Sequence, residues 1–341
     1  MLGEEQPGRR DIQRRPVSFA EPIAIVGIGC RFPGGASDPE SLWQLLLDGT
    51  DTIGPVPTER WDSRRFYDAN ADRPGKIHVD CGGFLDQRFE EFDASPFDIS
   101  PREAEGLDPQ QRLLLEITWE AFEDAGISIQ TLAGSPTGVF VGGFCVDALL
   151  TRLSPLNRHL ADAYCGVATT LTMLSNRISH SFDLRGPSMS IDTACSSSLI
   201  ATQAACRSLL SGESETAIAG GVNVMLRPEY SIVMSKGKYL SSHGRCRAFD
   251  ADAGGYVRAE GAGVVVLKRV SKAIADRDRI YSLIRGLEVN HGGKSKGVSA
   301  PNSEAQAELM RLVYEGAGVR GGEIGYVEAH GTGTQAGDAA E

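Results

Sequence analysis

The sequence predicts an α/β fold in which helices cover the faces of a layered sheet. Apolar runs of strand length alternate along the chain with segments of helical periodicity, the pattern of an α/β protein with a mostly parallel sheet. The 341 residues are 41% hydrophobic and 23% charged, enough to bury a sizeable core. The 40 glycines cluster between apolar runs, which indicates tight turns and close backbone contacts.

The order of the predicted elements follows from hydrophobic periodicity and turn residues. Residues 50–100 are rich in Pro, Gly, Asp and aromatic residues and predict an irregular excursion. Two blocks that begin with strands, residues 21–270 and 279–341, suggest an internal duplication with a much shorter second copy. Strands are predicted at Ile23–Gly29, Thr137–Gly142, Ser188–Asp192, Thr216–Met225, Gly263–Lys268, Ile280–Val289 and Ile324–Glu328, and helices at 39–48, 109–125, 162–181, 196–211 and 304–314.

Composition excludes several classes of function. The net charge of -11, without a long basic run, argues against a nucleic-acid partner. The seven cysteines are scattered and no pair is spaced as C-x-x-C, which argues against a disulfide framework and against a zinc site. No apolar run approaches the roughly 20 residues that span a bilayer, and the N-terminus lacks a signal-peptide core. We expect a cytoplasmic protein without a membrane partner.

Cys195 is the candidate nucleophile. It follows the apolar strand Ser188–Asp192 and precedes the helix predicted at residues 196–211. The amides and dipole of a helix N-terminus favour an anion, which lowers the pKa of a thiol placed there. The alternative is a cysteine packed as a small apolar residue, and the strand-turn-helix context alone does not decide between them.

His330 is the second candidate. It follows the predicted strand Ile324–Glu328 and opens a loop of glycine and threonine, where backbone and substrate can approach closely. A histidine in this position can exchange a hydrogen bond with a bound carbonyl group. The alternative is an ordinary loop histidine. The other five histidines lie in settings that suggest surface or packing roles.

Several segments, in order, resemble the beta-ketoacyl synthases of modular polyketide synthases and animal-type fatty acid synthases. The segment around the nucleophile, Asp192–Leu199 (DTACSSSL), is similar to the active-site signature of that family. The resemblance extends from about residue 21 to residue 341. It is carried further by Ile25–Gly34, Ile99–Ala104, Asp108–Leu113, Gly244–Asp250, Arg258–Gly263 and His330–Thr334.

The resemblance implies a thiolase-like fold, layered αβαβα, and a decarboxylative Claisen condensation. Cys195 would take an acyl group from an acyl carrier protein, and a malonyl-type extender would lose CO₂ and attack it. His330 is implied to polarise the extender carbonyl. Thr332 and Thr334 are implied to line the phosphopantetheine arm, and the backbone N–H of Cys195 to contribute to the oxyanion hole.

The resemblance also implies partners. No metal and no directly bound cofactor is implied, since the phosphopantetheine arm of the acyl carrier protein carries the substrate. A homodimer is implied, with Ser188–Asp192 close to the two-fold axis. Further synthase domains, such as an acyltransferase and a ketoreductase, are expected beside it.

The predicted organisation has three parts. Residues 1–20 form a flexible leader, residues 21–270 the N-terminal half with the nucleophile, and residues 271–341 the start of the C-terminal half. Members of the family continue with a lysine, a second histidine and a Gly/Phe loop. We therefore expect the N-terminal half to be complete, the C-terminal half to be incomplete and the activity of this chain to be doubtful. Departures from the family at His243 and Ala339 are interpreted as loop variation.

Other functions agree less well with these residues. A truncated, inactive thiolase-fold fragment, acting only as a partner subunit or representing a gene remnant, is disfavoured by the presence of Cys195. A Cys-His hydrolase needs an orienting Asp or Asn that the sequence does not identify. A dinucleotide fingerprint at Gly27–Gly29 has Phe32 where a third glycine is required. A phosphate loop at Gly293–Ser295 has Glu288 where its first glycine is required.

Overall fold

The computed structural model describes residues 18–341, so the predicted leader lies almost entirely outside the described residues. Within that range no helix is both long and apolar enough to cross a membrane. The strands are β1 (Ile23–Arg31), β2 (Ile53–Pro55), β3 (Cys81–Gly83), β4 (Thr137–Gly143), β5 (Ser188–Ile191), β6 (Thr216–Asn223), β7 (Gly261–Arg269) and β8 (Ser282–Ile284). The helices are α1 (Pro39–Leu47), α2 (Ser63–Phe66), α3 (Pro101–Gly106), α4 (Pro109–Asp124), α5 (Ile129–Leu132), α6 (Asp147–Arg152), α7 (Cys165–Thr169), α8 (Met173–Ser181), α9 (Ser197–Ser211), α10 (Glu229–Lys236), α11 (Val270–Asp276), α12 (Ser303–Ala317) and α13 (Gln335–Ala340).

Six of these strands form one sheet in the order β5-β4-β6-β7-β1-β8. β4 pairs in parallel with both β5 and β6. The pairs β6–β7, β7–β1 and β1–β8 are antiparallel. The predicted mostly parallel sheet is therefore wrong, because the chain returns antiparallel at β7 and β8. The parallel part is the region around the nucleophile.

One face of the sheet packs against α4 and α8. Strand residues at alternating positions, such as Val139 and Val141 of β4, join Ile117 and Phe122 of α4 in one core cluster. At two positions, Gly27 and Gly29, the backbone of β1 packs directly against α4 because these residues have no side chain. A Cβ at Gly29 would stand 2.0 Å from the carbonyl oxygen of Ile117, so only glycine fits there. The glycines of Gly27–Gly29 therefore serve helix packing, in agreement with the absence of a complete dinucleotide fingerprint in the sequence.

The opposite face packs against α9. Phe140, between Val139 and Val141 in β4, points to this side and joins Ala201, Ala205 and Leu209 in a second core cluster. Because both faces of β4 and β6 are covered, their sequences are apolar throughout rather than alternating. The small residues of α9 let it lie close to the sheet, and this places the N-terminus of α9 at the carboxyl ends of the parallel strands.

The segment after α11 departs most from prediction. Residues 324–328, expected as a strand, have no strand partner among the described residues, and Tyr326 is 79% exposed. A strand needs a paired neighbour, which apolar composition alone does not supply. The strand expected at Ile280–Val289 is reduced to β8. The helix expected at residues 162–181 is divided into α7 and α8. The unpredicted elements are the short strands β2 and β3 and the helices α2, α3, α5, α6, α10, α11 and α13.

Candidate active site

The nucleophile candidate sits where the sequence places it. β5 ends at Ile191, a short 3₁₀ turn covers Ala194–Ser196, and α9 begins at Ser197. Ala194 has a φ of +55°, a left-handed conformation that is uncommon for a residue with a side chain. This sharp turn holds Cys195 on the exposed side of the strand-to-helix junction.

Side chains inside the turn maintain its shape. Oδ1 of Asp192 accepts a hydrogen bond from the Ala194 amide at 2.9 Å. Oγ of Ser197 accepts from the Thr193 amide at 2.9 Å and donates to the Ala194 carbonyl at 2.6 Å. Such local bonds offset the cost of the left-handed residue, so the position of Cys195 is over-determined.

Two sheet glycines bring the N-terminus of α9 close to the sheet. A Cβ at Gly142 of β4 would stand 2.4 Å from the amide nitrogen of Ser198. A Cβ at Gly221 of β6 would stand 2.9 Å from the Ser198 Cβ. Cys195 therefore lies at the carboxyl ends of β4, β5 and β6, the edge at which open α/β sheets bind ligands.

His330 reaches Cys195 from an extended loop rather than from a strand end. The Cys195 thiol and the His330 imidazole lie within hydrogen-bonding reach, close enough for each to shift the pKa of the other. The two residues are 135 positions apart in sequence, so this contact brings together the two predicted catalytic side chains from different segments of the chain.

The loop that carries His330 is fastened to the segment 244–256. Gly331 and Gly333 have φ values of +56° and +64°, which turn the loop through left-handed conformations open to glycine. Three hydrogen bonds join the two segments: Cys246 Sγ to the Gly331 carbonyl at 3.3 Å, the Gly255 amide to the Gly333 carbonyl at 2.7 Å, and the Phe249 amide to Asp338 Oδ2 at 2.6 Å.

The two predicted phosphopantetheine residues also lie on this loop. The hydroxyls of Thr332 and Thr334 are 3.0 Å apart and share a hydrogen bond. Thr334 also caps α13, because its Oγ1 accepts from the Gly337 amide at 3.2 Å. The contacts that the predicted roles of Thr332, Thr334 and the Cys195 N–H would require involve a bound substrate, so these roles stay predictions.

Electrostatics at the pair favour charge separation. The hydrogen bond from His330 is the largest cause that lowers the pKa of Cys195, against the opposing effect of burial. The same hydrogen bond raises the pKa of His330, again against burial. Both shifts favour a thiolate beside an imidazolium. The sequence predicts activation by the helix N-terminus, whereas the contact with His330 is a cause that sequence spacing does not indicate.

Other thiols of the described chain are shifted in the opposite direction. Burial raises the pKa of Cys30 to about 11 and that of Cys145 and Cys206 to about 12. Burial also raises the pKa of Cys81 and Cys246. Cys195 is therefore favoured over these five thiols as the reactive one at neutral pH.

Cys195 opens into a cavity of about 600 Å³. Three lining residues were not singled out from the sequence: Phe144 after β4, Tyr230 on α10 and Tyr256 before β7. A fourth, Arg258, begins a segment that carries the family resemblance but was given no role. Tyr230 was missed because α10 was not predicted. The pattern of an aromatic residue and an arginine directly before a buried strand could have indicated Tyr256 and Arg258. A larger cavity of about 1350 Å³, beside Phe89 and Arg112, is not lined by Cys195. His330 is not among the lining residues of either cavity.

Family models match nearly the whole chain. The model described as "Beta-ketoacyl synthase, N-terminal domain" matches residues 20–273. The model described as "Beta-ketoacyl synthase, C-terminal domain" matches residues 281–341.

Individual relatives agree with these models. The chain is 46% identical over 326 residues to a phenolphthiocerol/phthiocerol polyketide synthase protein of Mycobacterium tuberculosis (strain CDC 1551 / Oshkosh), covering 96% of this chain and 18% of that protein. It is 47% identical to another phenolphthiocerol/phthiocerol polyketide synthase protein of the same strain, covering 95% of this chain and 21% of that protein. The chain thus spans about a fifth of the length of these curated relatives.

Solved structures share the fold. An oxazolomycin ketosynthase domain from Streptomyces albus JA3453 superposes with a TM-score of 0.89 at 43% identity, covering 94% of this chain and 55% of that one. The ketosynthase from module 6 of the bacillaene synthase of Bacillus subtilis 168 gives a TM-score of 0.84 at 39% identity, covering 94% and 53%. The expected thiolase-like α/β fold is confirmed by these superpositions.

Proposed function

We propose, because this chain belongs to the beta-ketoacyl synthase family, that it forms carbon–carbon bonds by decarboxylative Claisen condensation in polyketide or fatty acid assembly. The observation that carries the proposal is the pairing of Cys195 with His330 at the N-terminus of α9, where each side chain is close enough to shift the pKa of the other. The names of the relatives favour a polyketide product.

In the first stage Cys195 accepts an acyl group. His330 takes the thiol proton, and the thiolate attacks the thioester carbonyl of an acyl group carried on phosphopantetheine. The bond between the acyl carbon and the phosphopantetheine sulfur breaks, and the Cys195 thioester forms. The imidazolium returns the proton to the departing phosphopantetheine thiolate. The backbone N–H of Cys195 is proposed to donate to the oxyanion of the tetrahedral intermediate.

In the second stage a malonyl-type extender replaces the spent carrier. Its carboxylate leaves as CO₂, and the electron pair of the broken bond forms an enolate that attacks the acyl carbon on Cys195. As the new carbon–carbon bond forms, the bond between that carbon and Cys195 Sγ breaks, so the β-ketoacyl group stays on the carrier and Cys195 leaves as a thiolate that is ready for the next acyl group. His330, now neutral, is proposed to donate a hydrogen bond to the extender's thioester oxygen, where negative charge accumulates. Thr332 and Thr334 are proposed to line the phosphopantetheine arm beside it.

The partners follow from this chemistry. An acyl carrier protein would deliver both thioesters, and no other cofactor is required. A homodimer through β5 is supported by the position of that strand at the edge of the sheet, where Met189 is 48% exposed. Neighbouring acyltransferase and ketoreductase domains and a cytoplasmic location are proposed on the resemblance alone.

The proposed division of the chain places residues 21–270 in the N-terminal half and residues 271–341 in the C-terminal half. The break between the two family-model matches, after residue 273 and before residue 281, supports this division. Each segment contributes one side chain of the catalytic pair, which disfavours a role limited to pairing with a catalytic partner.

The direct test is to map the acyl group. The protein is incubated with octanoyl-N-acetylcysteamine, and the adduct is located by peptide mass spectrometry. We expect octanoylation at Cys195, and its loss in Cys195→Ala. Cys246→Ser is the matched control, because Cys246 is the other exposed thiol among the described residues and serine keeps a donor for the Gly331 carbonyl of the His330 loop.

Condensation is tested next, with malonyl carried on an acyl carrier protein. We expect CO₂ release and a β-ketoacyl product that both require Cys195 and His330. Octanoylation at Cys246 with Cys195 unmodified would refute the assignment of the nucleophile. Release of free octanoate without a condensation product would instead indicate a hydrolase.

A further inference from the structure

The cavity that contains Cys195 carries an aromatic and cationic wall. Tyr230 stacks edge-on against Phe144, with ring centroids 4.8 Å apart. The Arg258 guanidinium lies 5.1 Å from the Tyr230 ring centroid, and its Nη1 donates to Ser231 Oγ at 2.7 Å. These contacts fix the Tyr230 ring from two sides, so its position is set before any substrate binds.

Tyr256 completes the wall from a separate segment. Its backbone is held on both sides, since its amide donates to the Tyr239 carbonyl at 2.9 Å and its carbonyl accepts from the Ser241 amide at 2.9 Å. Tyr230 and Tyr256 both line the cavity of Cys195, and the charge of Cys195 acts on both phenols. The two phenols therefore lie within electrostatic reach of the sulfur that would hold the acyl group.

Both hydroxyls are uncommitted. Across residues 18–341, neither the Tyr230 nor the Tyr256 hydroxyl has a hydrogen-bond partner in the protein. Burial is the main cause that raises the pKa of each phenol, so both are protonated donors at neutral pH. Neither hydroxyl is among the buried polar atoms without a partner in residues 18–341, so solvent reaches both. A ligand that displaces this solvent must supply a hydrogen-bond partner or lose free energy.

We infer that Tyr230 and Tyr256 bind an oxygen substituent of the acyl chain on Cys195, so that the site prefers hydroxylated acyl thioesters to saturated ones of equal length. The inference rests on the proposed function, since it concerns the acyl group that Cys195 would accept. A saturated chain that displaces solvent from the cavity would leave both phenol hydroxyls unpaired. A hydroxyl or keto oxygen would pair with them, which is how a polar site rejects analogues that lack the polar group.

The test compares two thioesters on the full chain, 3-hydroxyoctanoyl- and octanoyl-N-acetylcysteamine. The kcat/KM for acylation of Cys195 is measured with each by mass spectrometry. We expect a preference for the hydroxylated substrate. Tyr230→Phe and Tyr256→Phe should each reduce that preference by about 3- to 10-fold, the value of one hydrogen bond. Tyr67→Phe, at an exposed tyrosine outside the cavity, is the matched control and should retain the preference.

The experiment distinguishes an error in the proposed function from an error in the proposed substrate preference. If neither thioester acylates Cys195, the proposed function is wrong and the inference falls with it. If both acylate Cys195 with equal kcat/KM and the two phenylalanine variants match the parent, the function stands and the inference is overturned. A preference that Tyr67→Phe abolishes as strongly as the cavity variants would also overturn it, because the effect would not be local.

Discussion

A thiol is nucleophilic only to the extent that it is ionised. The neighbour that determines its pKa therefore also determines how fast the thiol reacts with an electrophile at a given pH. For Cys195 that neighbour is His330, whose hydrogen bond is the largest cause of the lowered pKa. We expect His330→Ala to raise the pKa of Cys195 and to slow alkylation by iodoacetamide at pH 7 several-fold. His330→Gln, which keeps a hydrogen-bond donor, should be intermediate.

The measurement is the alkylation rate of Cys195 from pH 5 to pH 10, with Cys246 followed in the same samples as the internal reference. The His330→Ala curve should be displaced to higher pH and should converge with the parent at alkaline pH, where both thiols are ionised. Superimposable curves would mean that His330 does not activate the thiol and that the helix N-terminus alone sets its reactivity.

The buried carboxyl of Asp108 links stability to pH. It caps α4, and desolvation is the main cause that raises its pKa to about 6. An acid with a raised folded-state pKa contributes stability below its unfolded pKa and loses it as the pH rises through the folded value, here between about pH 4 and pH 6. At pH 7 the ionised, buried carboxylate of Asp108 therefore lowers the free energy of unfolding, and Asp108→Asn removes this destabilisation.

We expect Asp108→Asn to raise the free energy of unfolding at pH 7.5 by up to about 3 kcal/mol, and to change it little at pH 4. The amide oxygen keeps the cap, because it can still accept from the Gln110 backbone amide. The bond that Asp108 Oδ2 accepts from Gln110 Nε2 is lost, so the stated gain is an upper value. Urea unfolding at the two pH values measures the difference. Asp38→Asn, at the exposed cap of α1, is the control and should not stabilise, since hydrogen bonds lower the pKa of Asp38. A gain of equal size at both pH values would contradict the argument.

At the scale of elements, the close contact between β4 and α9 determines where the nucleophile stands. Gly142→Ala would place a Cβ 2.4 Å from the Ser198 amide nitrogen, so α9 must move away from the sheet. We expect a loss of about 1 to 3 kcal/mol in unfolding free energy and slower acylation of Cys195 in the folded fraction. Gly54→Ala, with open space around the added Cβ, is the control. Normal acylation in a stable Gly142→Ala protein would show that the contact does not position Cys195.

The helices and strands also show how much of the fold could be predicted from the sequence. β1, α4, β4 and α9 were predicted within one or two residues, because both their periodicity and their turn residues are local signals. The pairing direction of β7 and the absence of a strand at Ile324–Glu328 depend on neighbours distant in sequence, which periodicity does not encode. At the site, the order of a predicted strand and a predicted helix was enough to predict Cys195 at the turn between them. The contact with His330 and the cavity wall formed by Tyr230 and Tyr256 arise only from tertiary packing.

At the scale of the whole molecule, the sheet has one edge beside the active site. β5 pairs with β4 on one side and has no strand on its other side among the described residues. An exposed strand edge close to the catalytic turn is either covered by a partner or left as an aggregation hazard. Because the strand leads directly to Cys195, a partner at this edge would also support the turn that holds the nucleophile.

We therefore expect the protein to be a dimer in solution through β5, with Met189 in the contact. Met189→Arg would place a charge at the joined edge, where an unpaired buried charge is costly, and should shift the mass measured by light scattering towards the monomer. Met310→Arg, on the exposed side of α12 at a methionine of similar exposure, is the matched control and should leave the mass unchanged. If the dimer depends on β5, acylation of Cys195 should weaken in parallel with dissociation as the protein is diluted. A parent protein that is monomeric at micromolar concentration, or a dimer that tolerates Met189→Arg, would show that this edge is covered in another way.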